Sequence, residues 1–247
     1  MIQSPDNKMI YDEKWNDWFD QKVHGPASRW LRWLIESNLG YVDKSTIGSV
    51  IDVGCGQGTT TEMFVRLLQD ATVLGTDFSA AGIAAAKRHY GSERLHFAVD
   101  ESSHYLEPEK YDLVTCFEVL EHVPEWEELL WRICRTSRKY VMLSFPTGRM
   151  RKFEVQVGHV RNFRRGEVED FMNRAGFEPV NIYYAGFPFF SPFYRDFCNR
   201  MDAGQSSFAS GPFGPRQKAV SSLFFGFFRY FSMRRIGDQF CGLFERR

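Results

Sequence analysis

Apolar and polar positions along the chain alternate between strand-like and helix-like patterns. An apolar run of five to ten residues that ends in glycine, proline or an acidic residue is typical of a buried strand. Five such runs occur, at residues 72–76, 95–99, 111–117, 140–145 and 177–186, and a shorter apolar run, Val50-Ile51, precedes them and is broken by Asp52 and then by glycines. Segments with helical spacing separate most of them. This alternation predicts an α/β fold, a doubly wound and mostly parallel sheet. Residues 237–244 predict a seventh strand, antiparallel and at the sheet edge.

Two helices are predicted before the first strand, within residues 11–40. Pro26 can begin the second helix and Gly40 can end it. We interpret the apolar faces as packing surfaces, and a ligand cage is the alternative for the tryptophans. The first face holds Tyr11, Trp15, Trp18 and Phe19, and the second holds Trp30, Leu31, Trp33, Leu34 and Leu39.

A glycine-rich loop follows the first predicted strand. The strand carries Asp52 near its end, and glycines follow at positions 54, 56 and 58 before a predicted helix. Glycine permits positive φ and lets a ligand approach bare backbone, and the helix start presents N–H groups. The pattern therefore predicts a nucleotide-like ligand at this point. A dinucleotide motif would place its third glycine one position later, and a ligand-free turn is the remaining alternative.

Composition and charge exclude several classes of protein. The chain has 247 residues and a formal net charge of zero, which gives no electrostatic reason to expect a nucleic-acid partner. Its five cysteines form no C-x-x-C pair, so we expect no metal site and no disulfide scaffold. The polar N-terminus and the lack of a long apolar run predict a cytoplasmic protein without a signal peptide or a transmembrane segment.

Two motifs resemble one enzyme family. Asp52 to Gly58 match D-x-G-x-G-x-G, the first motif of the class I S-adenosylmethionine methyltransferases. The string F-E-V-L-E-H-V-P, from Phe117 to Pro124, is similar to the segment after the fourth strand in small-molecule methyltransferases, including those that O-methylate quinone precursors. The resemblance covers about residues 45–186. It implies a Rossmann-like core and S-adenosyl-L-methionine as the cofactor.

Candidate cofactor-binding residues lie at the ends of four predicted strands. Asp77 lies 23 positions after Gly54, where a carboxylate can accept both ribose hydroxyls, although it could instead cap the next helix, as could Ser79. Phe78 could lie against the adenine. The family resemblance adds adenine contacts near Asp100 and a lining role at the fourth strand end. The full candidate set is Asp52, Gly54, Cys55, Gly56, Asp77, Phe78, Asp100, Glu101, Phe117, Glu118 and, for the methionine carboxylate, Arg29 or Arg32.

Two histidines are candidate catalytic residues. His159 lies in the stretch G-H-V-R-N-F, which resembles the segment over the substrate pocket in the family, and its pKa would lie near working pH without much tuning. His122 lies in the second motif and would face or support the cleft. The alternative for both is a structural role, in which His159 bonds loop backbone and shapes the rim.

Residues 187–236 have no counterpart in the resemblance. This aromatic insertion contains twelve of the 24 phenylalanines, and its residues 203–215 read as a loop. A helix is predicted over residues 223–235. The insertion could be a lid or wall of the pocket, ordinary core, or a surface for a dimer or a membrane. We thus divide the chain into a helical cap (1–44), a core (45–186 and 237–247) and the insertion.

These observations predict a methyltransferase that acts on a small molecule. The acceptor would be an oxygen or nitrogen of an aromatic, lipid-like or glycosylated metabolite, with no metal required and no nucleic acid bound. A peripheral membrane contact through 187–236 and a monomer or homodimer are compatible with the sequence. The alternatives are a scaffold that binds S-adenosylmethionine without turnover and a protein or RNA methyltransferase.

Overall fold

The computed structural model describes residues 15, 18–101, 103–200 and 211–247. Seven strands form one sheet in the order β3-β2-β1-β4-β5-β7-β6. They are β1 (Ser49–Val53), β2 (Thr72–Asp77), β3 (Leu95–Val99), β4 (Tyr111–Phe117), β5 (Ser137–Pro146), β6 (Phe177–Ala185) and β7 (Gln239–Arg246). Strands β1 to β5 are parallel, and β7 is antiparallel to both neighbours. The predicted fold class is confirmed.

Nine helices are described. They are α1 (Phe19–His24), α2 (Pro26–Leu39), α3 (Thr61–Leu67), α4 (Ala80–Tyr90), α5 (Trp126–Thr136), α6 (Lys152–Gln156), α7 (Glu167–Arg174), α8 (Arg195–Arg200) and α9 (Pro215–Phe231). Pro26 begins α2 and Gly40 ends it, as the sequence predicts. Between β3 and β4 the described residues form no helix, so the regular alternation is interrupted there.

The order in which strands are added to the sheet reverses at β1. The chain runs from β1 to β2 and β3 on one side and then crosses back to β4 on the other. In an open parallel sheet, ligands bind in the crevice that this reversal opens beyond the carboxyl ends of the strands. The glycine loop after β1 lies at that crevice.

The edge position predicted for the last strand is wrong. β7 lies between β5 and β6, and β6 forms the edge. Residues Tyr140 to Pro146 pair with β7 on one side and residues Phe177 to Ala185 on the other. Pro179 fits an edge strand, because proline cannot donate to a second neighbour. Because β7 hydrogen-bonds to a strand on each side, it lies inside the sheet and not at its edge.

The core has one apolar layer on each face of the sheet. Successive strand residues point to opposite faces, so Val50 packs in a layer with Trp30 and Phe64, whereas Ile51 packs in the other layer with Leu130. All five side chains are at most 1% exposed. The N-terminal helix α2 belongs to the first layer, so the helical cap is an integral part of the core.

The insertion is helical where it is described, and its long helix differs from the prediction. The sequence predicts a helix over residues 223–235, whereas α9 begins eight residues earlier and ends four residues earlier. Gly226 lies inside it. Phe228 and Phe190 are buried against Trp30 of α2, which supports the core interpretation for this face. Tyr11 and most of the predicted loop at 203–215 lie outside the described residues. No described helix is long and apolar enough to span a membrane.

Candidate functional site

A cleft opens at the carboxyl ends of β1, β2 and β4, under α1 and α2. It contains about 850 Å³ of open space, including solvent at its mouth. Its described lining comes from three parts of the chain. Trp15 and the two helices contribute one part, in which the helix residues are Lys22, Ser28, Leu31 and Arg32. The glycine loop with the end of β1 contributes Asp52, Gly54–Gln57, Thr59 and Thr60, and the other strand ends contribute Asp77, Phe78, Phe117–Val119 and His122.

Backbone hydrogen bonds hold the glycine loop against β2. The N–H groups of Gly54 and Cys55 both donate to the Thr76 carbonyl, at 2.8 and 2.9 Å. Gly54 and Gly56 have φ of +76° and +54°, values that glycine adopts readily. The loop is therefore pinned in a conformation that only small residues allow. The loop also packs closely on β2, because the Cys55 sulfur lies 2.9 Å from where a Cβ on Gly75 would be.

Asp77 links the glycine loop to the second strand. Its carboxylate accepts from the Gly56 N–H and the Ser79 N–H, both at 2.8 Å. Ser79 caps α4 through a bond from the Gly82 N–H, so the capping role considered for Asp77 belongs to Ser79. The Asp77 side chain is 5% exposed and lines the cleft. A carboxylate oxygen has two lone pairs, so Asp77 can hold the loop and still accept a ligand hydroxyl.

Asp52 is buried beneath the loop. It accepts hydrogen bonds from Thr61 Oγ1 at 2.6 Å and from Thr115 Oγ1 at 2.7 Å. Burial raises the Asp52 pKa to about 6, although the two hydroxyl bonds act in the opposite direction. The side chain joins β1, β4 and α3 at the cleft floor. Its carboxyl group is thus a structural tie as well as a candidate cofactor contact.

Trp15 covers the glycine loop from above. A Cβ on Gly56 would lie 2.3 Å from the Trp15 ring, and a Cβ on Gly82 would lie 3.0 Å from Trp15 Nε1. The ring is 6% exposed. Packing is therefore confirmed for this tryptophan, but the surface it packs on is the cleft. Trp15, which the sequence analysis interprets as part of a packing surface, thus also lines the site.

The end of β4 carries Phe117 and Glu118 into the cleft. Phe117 stacks on Phe64 with ring centroids 6.2 Å apart. Glu118 has a φ of +56°, which a non-glycine residue rarely adopts, and its Oε1 accepts from Ser144 Oγ and Gln239 Nε2, each at 2.8 Å. Burial raises the Glu118 pKa against these bonds. The strained backbone aims this carboxylate into the cleft.

Glu121, His122 and His159 form a buried cluster beside the cleft. One ligand atom from each side chain lies within 4.8 Å of the others, and the two imidazole centroids are 4.6 Å apart. The Val160 N–H donates to the Glu121 carbonyl at 2.9 Å and so tethers the His159 loop to the second motif. Both carboxylate oxygens of Glu121 are buried without a hydrogen-bond partner among the described residues. An unsatisfied carboxylate beside two imidazoles fits a divalent cation.

Burial sets the protonation of this cluster. It lowers the His122 pKa to about 4 and, together with the neighbouring His122, lowers the His159 pKa to about 3. The expected His159 pKa near working pH is therefore wrong. Burial, and then the nearby Glu118, raises the Glu121 pKa well above its usual value. Neutral imidazoles can accept a proton or bind a metal, whereas imidazolium ions cannot.

Three sequence candidates lie outside the cleft. The Arg29 guanidinium bonds Ser222 Oγ at 2.9 Å and stacks over Phe225, because α2 turns this position toward α9. Asp100 accepts from the His104 N–H at 2.7 Å and closes the turn after β3. Neither Asp100 nor the exposed Glu101 is among the lining residues. Arg29, Asp100 and Glu101 are thus not brought to the site.

Two cations from α1 and α2, Lys22 and Arg32, line the cleft. Arg32 lines the cleft and donates to the Lys22 and Val23 carbonyls at 2.6 and 2.8 Å. Lys22 also lines it, and burial lowers the Lys22 pKa while Glu118 raises it. Arg32 was the sequence alternative to Arg29. No signal in the sequence singled out Lys22, because its position depends on how α1 folds over the sheet.

The comparisons with known proteins bear on the part of the chain that carries the glycine loop. A family model described as a methyltransferase domain matches residues 51–137, from the glycine loop through β4 to the start of β5. Residues 51–137 thus match a methyltransferase domain. The methyltransferase resemblance of the two motifs is confirmed over this part of the chain, and with it S-adenosylmethionine, the cofactor that the resemblance implies.

Relatives of the methyltransferase domain include enzymes of quinone biosynthesis. The "Ubiquinone biosynthesis O-methyltransferase" of Klebsiella pneumoniae is 32% identical over 147 residues, which cover 51% of this chain and 58% of that protein. The protein of the same name from Rhodopseudomonas palustris is 39% identical over 105 residues, covering 41% and 37%. The chain thus matches 58% of the length of the first relative and 37% of the second.

Solved structures share the fold at low identity. The magnesium protoporphyrin IX methyltransferase ChlM of Synechocystis, solved with S-adenosylhomocysteine, superposes with a TM-score of 0.55 at 15% identity, covering 93% of this chain and 88% of that one. The [4+2]-cyclase SpnF superposes at 0.60 and 18% identity, covering 87% and 79%. Because a cyclase shares this architecture, the fold alone does not specify the reaction.

Proposed function

We propose that the chain transfers the methyl group of S-adenosylmethionine to an oxygen of a small aromatic or lipid-like molecule. The observation that carries the proposal is Asp77, a buried carboxylate in the cleft that is bonded to the glycine loop and followed by Phe78. This arrangement fits a nucleoside, with the ribose on Asp77 and the adenine against Phe78. The quinone-biosynthesis relatives support an oxygen acceptor.

The other end of the cleft suits the methionine part of the cofactor. Lys22 and Arg32 offer positive charge to its carboxylate, and Asp52 and Glu118 offer acceptors to its ammonium group. Opposite charges placed in this way would orient the cofactor along the cleft. Phe117 would add an apolar wall near the reacting carbon.

Positioning is the main contribution that these residues make to the reaction. When bound, S-adenosylmethionine supplies an electrophilic methyl group whose carbon–sulfur bond breaks as the carbon–oxygen bond forms. Alignment of acceptor and methyl group can supply about 7–11 kcal/mol, whereas a general base adds about 10²–10⁴-fold. The hydroxyl proton must leave, and neutral His122, which lines the cleft, or His159 beside it can receive that proton.

A divalent cation at Glu121, His122 and His159 is the alternative to this proton-accepting role, because an imidazole that ligates a metal has no lone pair left for a proton. This carboxylate and two imidazoles suit a transition ion such as Mn²⁺ or Zn²⁺. A cation there would lower the pKa of an acceptor hydroxyl that binds it. The sequence prediction of no metal requirement stays untested, and the cluster is the reason to test it.

Calorimetric titration with S-adenosylhomocysteine tests the cofactor site. Wild type should bind in the micromolar range, and Asp77→Ala should weaken binding by at least about tenfold, since a hydrogen bond to a charged group contributes about 1.5–3 kcal/mol. Asp112→Ala is the matched control, because Asp112 also accepts two backbone N–H bonds but lies at the opposite end of β4. Equal losses in both variants would contradict the assignment.

Transfer from labelled S-adenosylmethionine tests the activity. Incubation with hydroxylated aromatic and lipid extracts should yield a product heavier by one methylene group. Retained cofactor binding without any product would favour the scaffold alternative. Label in protein or RNA, with salt-sensitive binding to nucleic acid, would favour a macromolecular acceptor.

Metal removal tests the cluster. Dialysis against a chelator should lower turnover, and Mn²⁺ or Zn²⁺ should restore it. By calorimetry Mn²⁺ should bind wild type but not Glu121→Gln or His159→Ala, whereas His96→Ala, an exposed histidine on β3, should bind it normally. Chelator-resistant activity together with a rate unchanged in His159→Ala would remove both the ion and this histidine from the mechanism.

A further inference from the structure

The outer face of α9 is apolar and exposed. Leu223, Tyr230 and Phe231 are 62%, 72% and 62% exposed, and Phe227 lies between them at helical spacing. The stripe continues past the end of the helix. Its large exposed members are Leu223, Phe227, Tyr230, Phe231, Met233 and Ile236. We call them the α9 surface.

The core does not require these side chains to be apolar. The inner face of α9 already packs on α2, where Phe228 is 1% exposed and meets Trp30 edge-on. Ser221 on the same inner face bonds the His24 carbonyl. An apolar outer face on a helix that is already anchored marks an interaction site.

The segment that carries this surface has basic side chains and no acidic ones. Residues 211–236 contain five basic side chains and no acidic ones, while the chain is neutral, so the remaining residues carry a net charge of −5 (0 − 5). All five are exposed, namely Arg216, Lys218, Arg229, Arg234 and Arg235. A symmetric dimer through this face would place these positive charges against their own copies. The charge therefore disfavours a second copy and favours an anionic partner.

We propose that the α9 surface binds the anionic face of a phospholipid bilayer. A helix with large apolar side chains on one side and arginines beside them lies in the membrane interface, where the rings enter the headgroup region and the cations meet lipid phosphates. Tyr230 and Phe231 supply the apolar anchor. Arg216, Arg229 and Arg235 supply the electrostatic attraction.

This orientation would place the cleft near the bilayer. α9 lies on α2, and residues Ser28, Leu31 and Arg32 of α2 line the cleft. One helix diameter, about 10 Å, therefore separates the lipid surface from the cleft. If the proposed function holds, a lipid-like acceptor could pass from membrane to cleft, but membrane binding itself does not depend on that function.

Co-sedimentation with vesicles tests the surface. Wild type should bind vesicles of phosphatidylcholine with about one-third phosphatidylglycerol, and bind pure phosphatidylcholine much more weakly. The double substitution Tyr230→Ser with Phe231→Ser should lower the partition coefficient by at least about tenfold. Trp131→Ser, an aromatic residue 48% exposed on α5, should leave it unchanged.

Charge reversal separates the two parts of the surface. Arg216→Glu with Arg235→Glu should weaken binding and its salt dependence, whereas the exposed pair Arg88→Glu with Arg164→Glu should not. Equal losses in both pairs, or no binding of wild type to anionic vesicles, would overturn the proposal. So would a dimer in sedimentation velocity that the Tyr230→Ser, Phe231→Ser variant abolishes. Unchanged S-adenosylhomocysteine affinity and melting temperature in every variant keep this result separate from the cofactor assignment.

Discussion

Protonation of the buried Asp52 carboxyl group stabilises the folded chain. Its pKa in the folded protein is about 6 because of burial, while an unfolded chain would show about 3.9. The native state therefore binds this proton more tightly than the unfolded state. The resulting stabilisation is complete below about pH 4 and is lost as the pH rises through about 6.

Asp52→Asn should remove this dependence. Relative to wild type, the variant should gain up to about 3 kcal/mol of unfolding free energy between pH 4 and pH 7.5, since one pKa unit corresponds to about 1.36 kcal/mol. Urea unfolding at the two pH values measures it. The control is Asp112→Asn. Burial opposes ionisation of Asp112, but bonds from Ser49 and Gly48 prevail and lower its pKa. Relative to wild type, this variant should therefore show no gain, and at most a small loss, of unfolding free energy between the two pH values. A shift of the same sign in both would contradict the account.

The loop between β1 and α3 depends on its glycines for both backbone conformation and packing. Gly58 has a φ of +80°, and a Cβ there would lie 2.7 Å from the Phe97 ring and 3.0 Å from Ala86. Gly166, before α7, has a similar φ of +86° but nothing within 4 Å of its Cβ position. The two positions share backbone strain and differ in packing.

Substitution by alanine should separate these two effects. Gly166→Ala should lose about 1–2 kcal/mol of unfolding free energy from the left-handed backbone. Gly58→Ala should lose about 1–3 kcal/mol more from overpacking against Phe97. Only Gly58→Ala should also weaken S-adenosylhomocysteine binding in calorimetry. Identical losses of stability in the two variants would show that Phe97 moves aside.

A buried ion network joins three distant segments of the whole molecule. Glu154 on α6 pairs with Arg195 on α8 and accepts from the Arg151 N–H at 2.7 Å, and Arg151 bonds Asp196 at 2.7 Å and reaches Asp238 before β7 at 3.4 Å. The Arg151, Arg195 and Glu154 side chains are at most 6% exposed. The network anchors the insertion to the core.

Glu154→Ala should therefore destabilise the protein strongly. Removal of the carboxylate leaves the buried Arg195 guanidinium without its carboxylate partner, and such changes cost about 3–5 kcal/mol. Glu62→Ala is the control. Its partner Arg66 is exposed, so the loss should stay below about 1 kcal/mol. Chemical denaturation measures both, and a loss of under about 1 kcal/mol in Glu154→Ala would show that water compensates Arg195.

The sequence by itself determined the strands, the glycine loop and the family. These features are local, because apolar runs, glycine spacing and short motifs such as that around Asp52 can be recognised from residues that are close together in the sequence. The same local signals identified Asp77, Phe117 and Glu118. Each stands at a strand end, and parallel strands bring their carboxyl ends to one edge.

Tertiary structure alone decided which other side chains meet at that edge. Lys22 reaches the cleft, and Arg29 turns away from it, only because α1 and α2 fold over the sheet. Glu121 meets His159 only because the loop after α6 returns to β4. Burial and proximity between distant segments, which set the pKa of each group and the partner of each charge, arise only once the chain has folded.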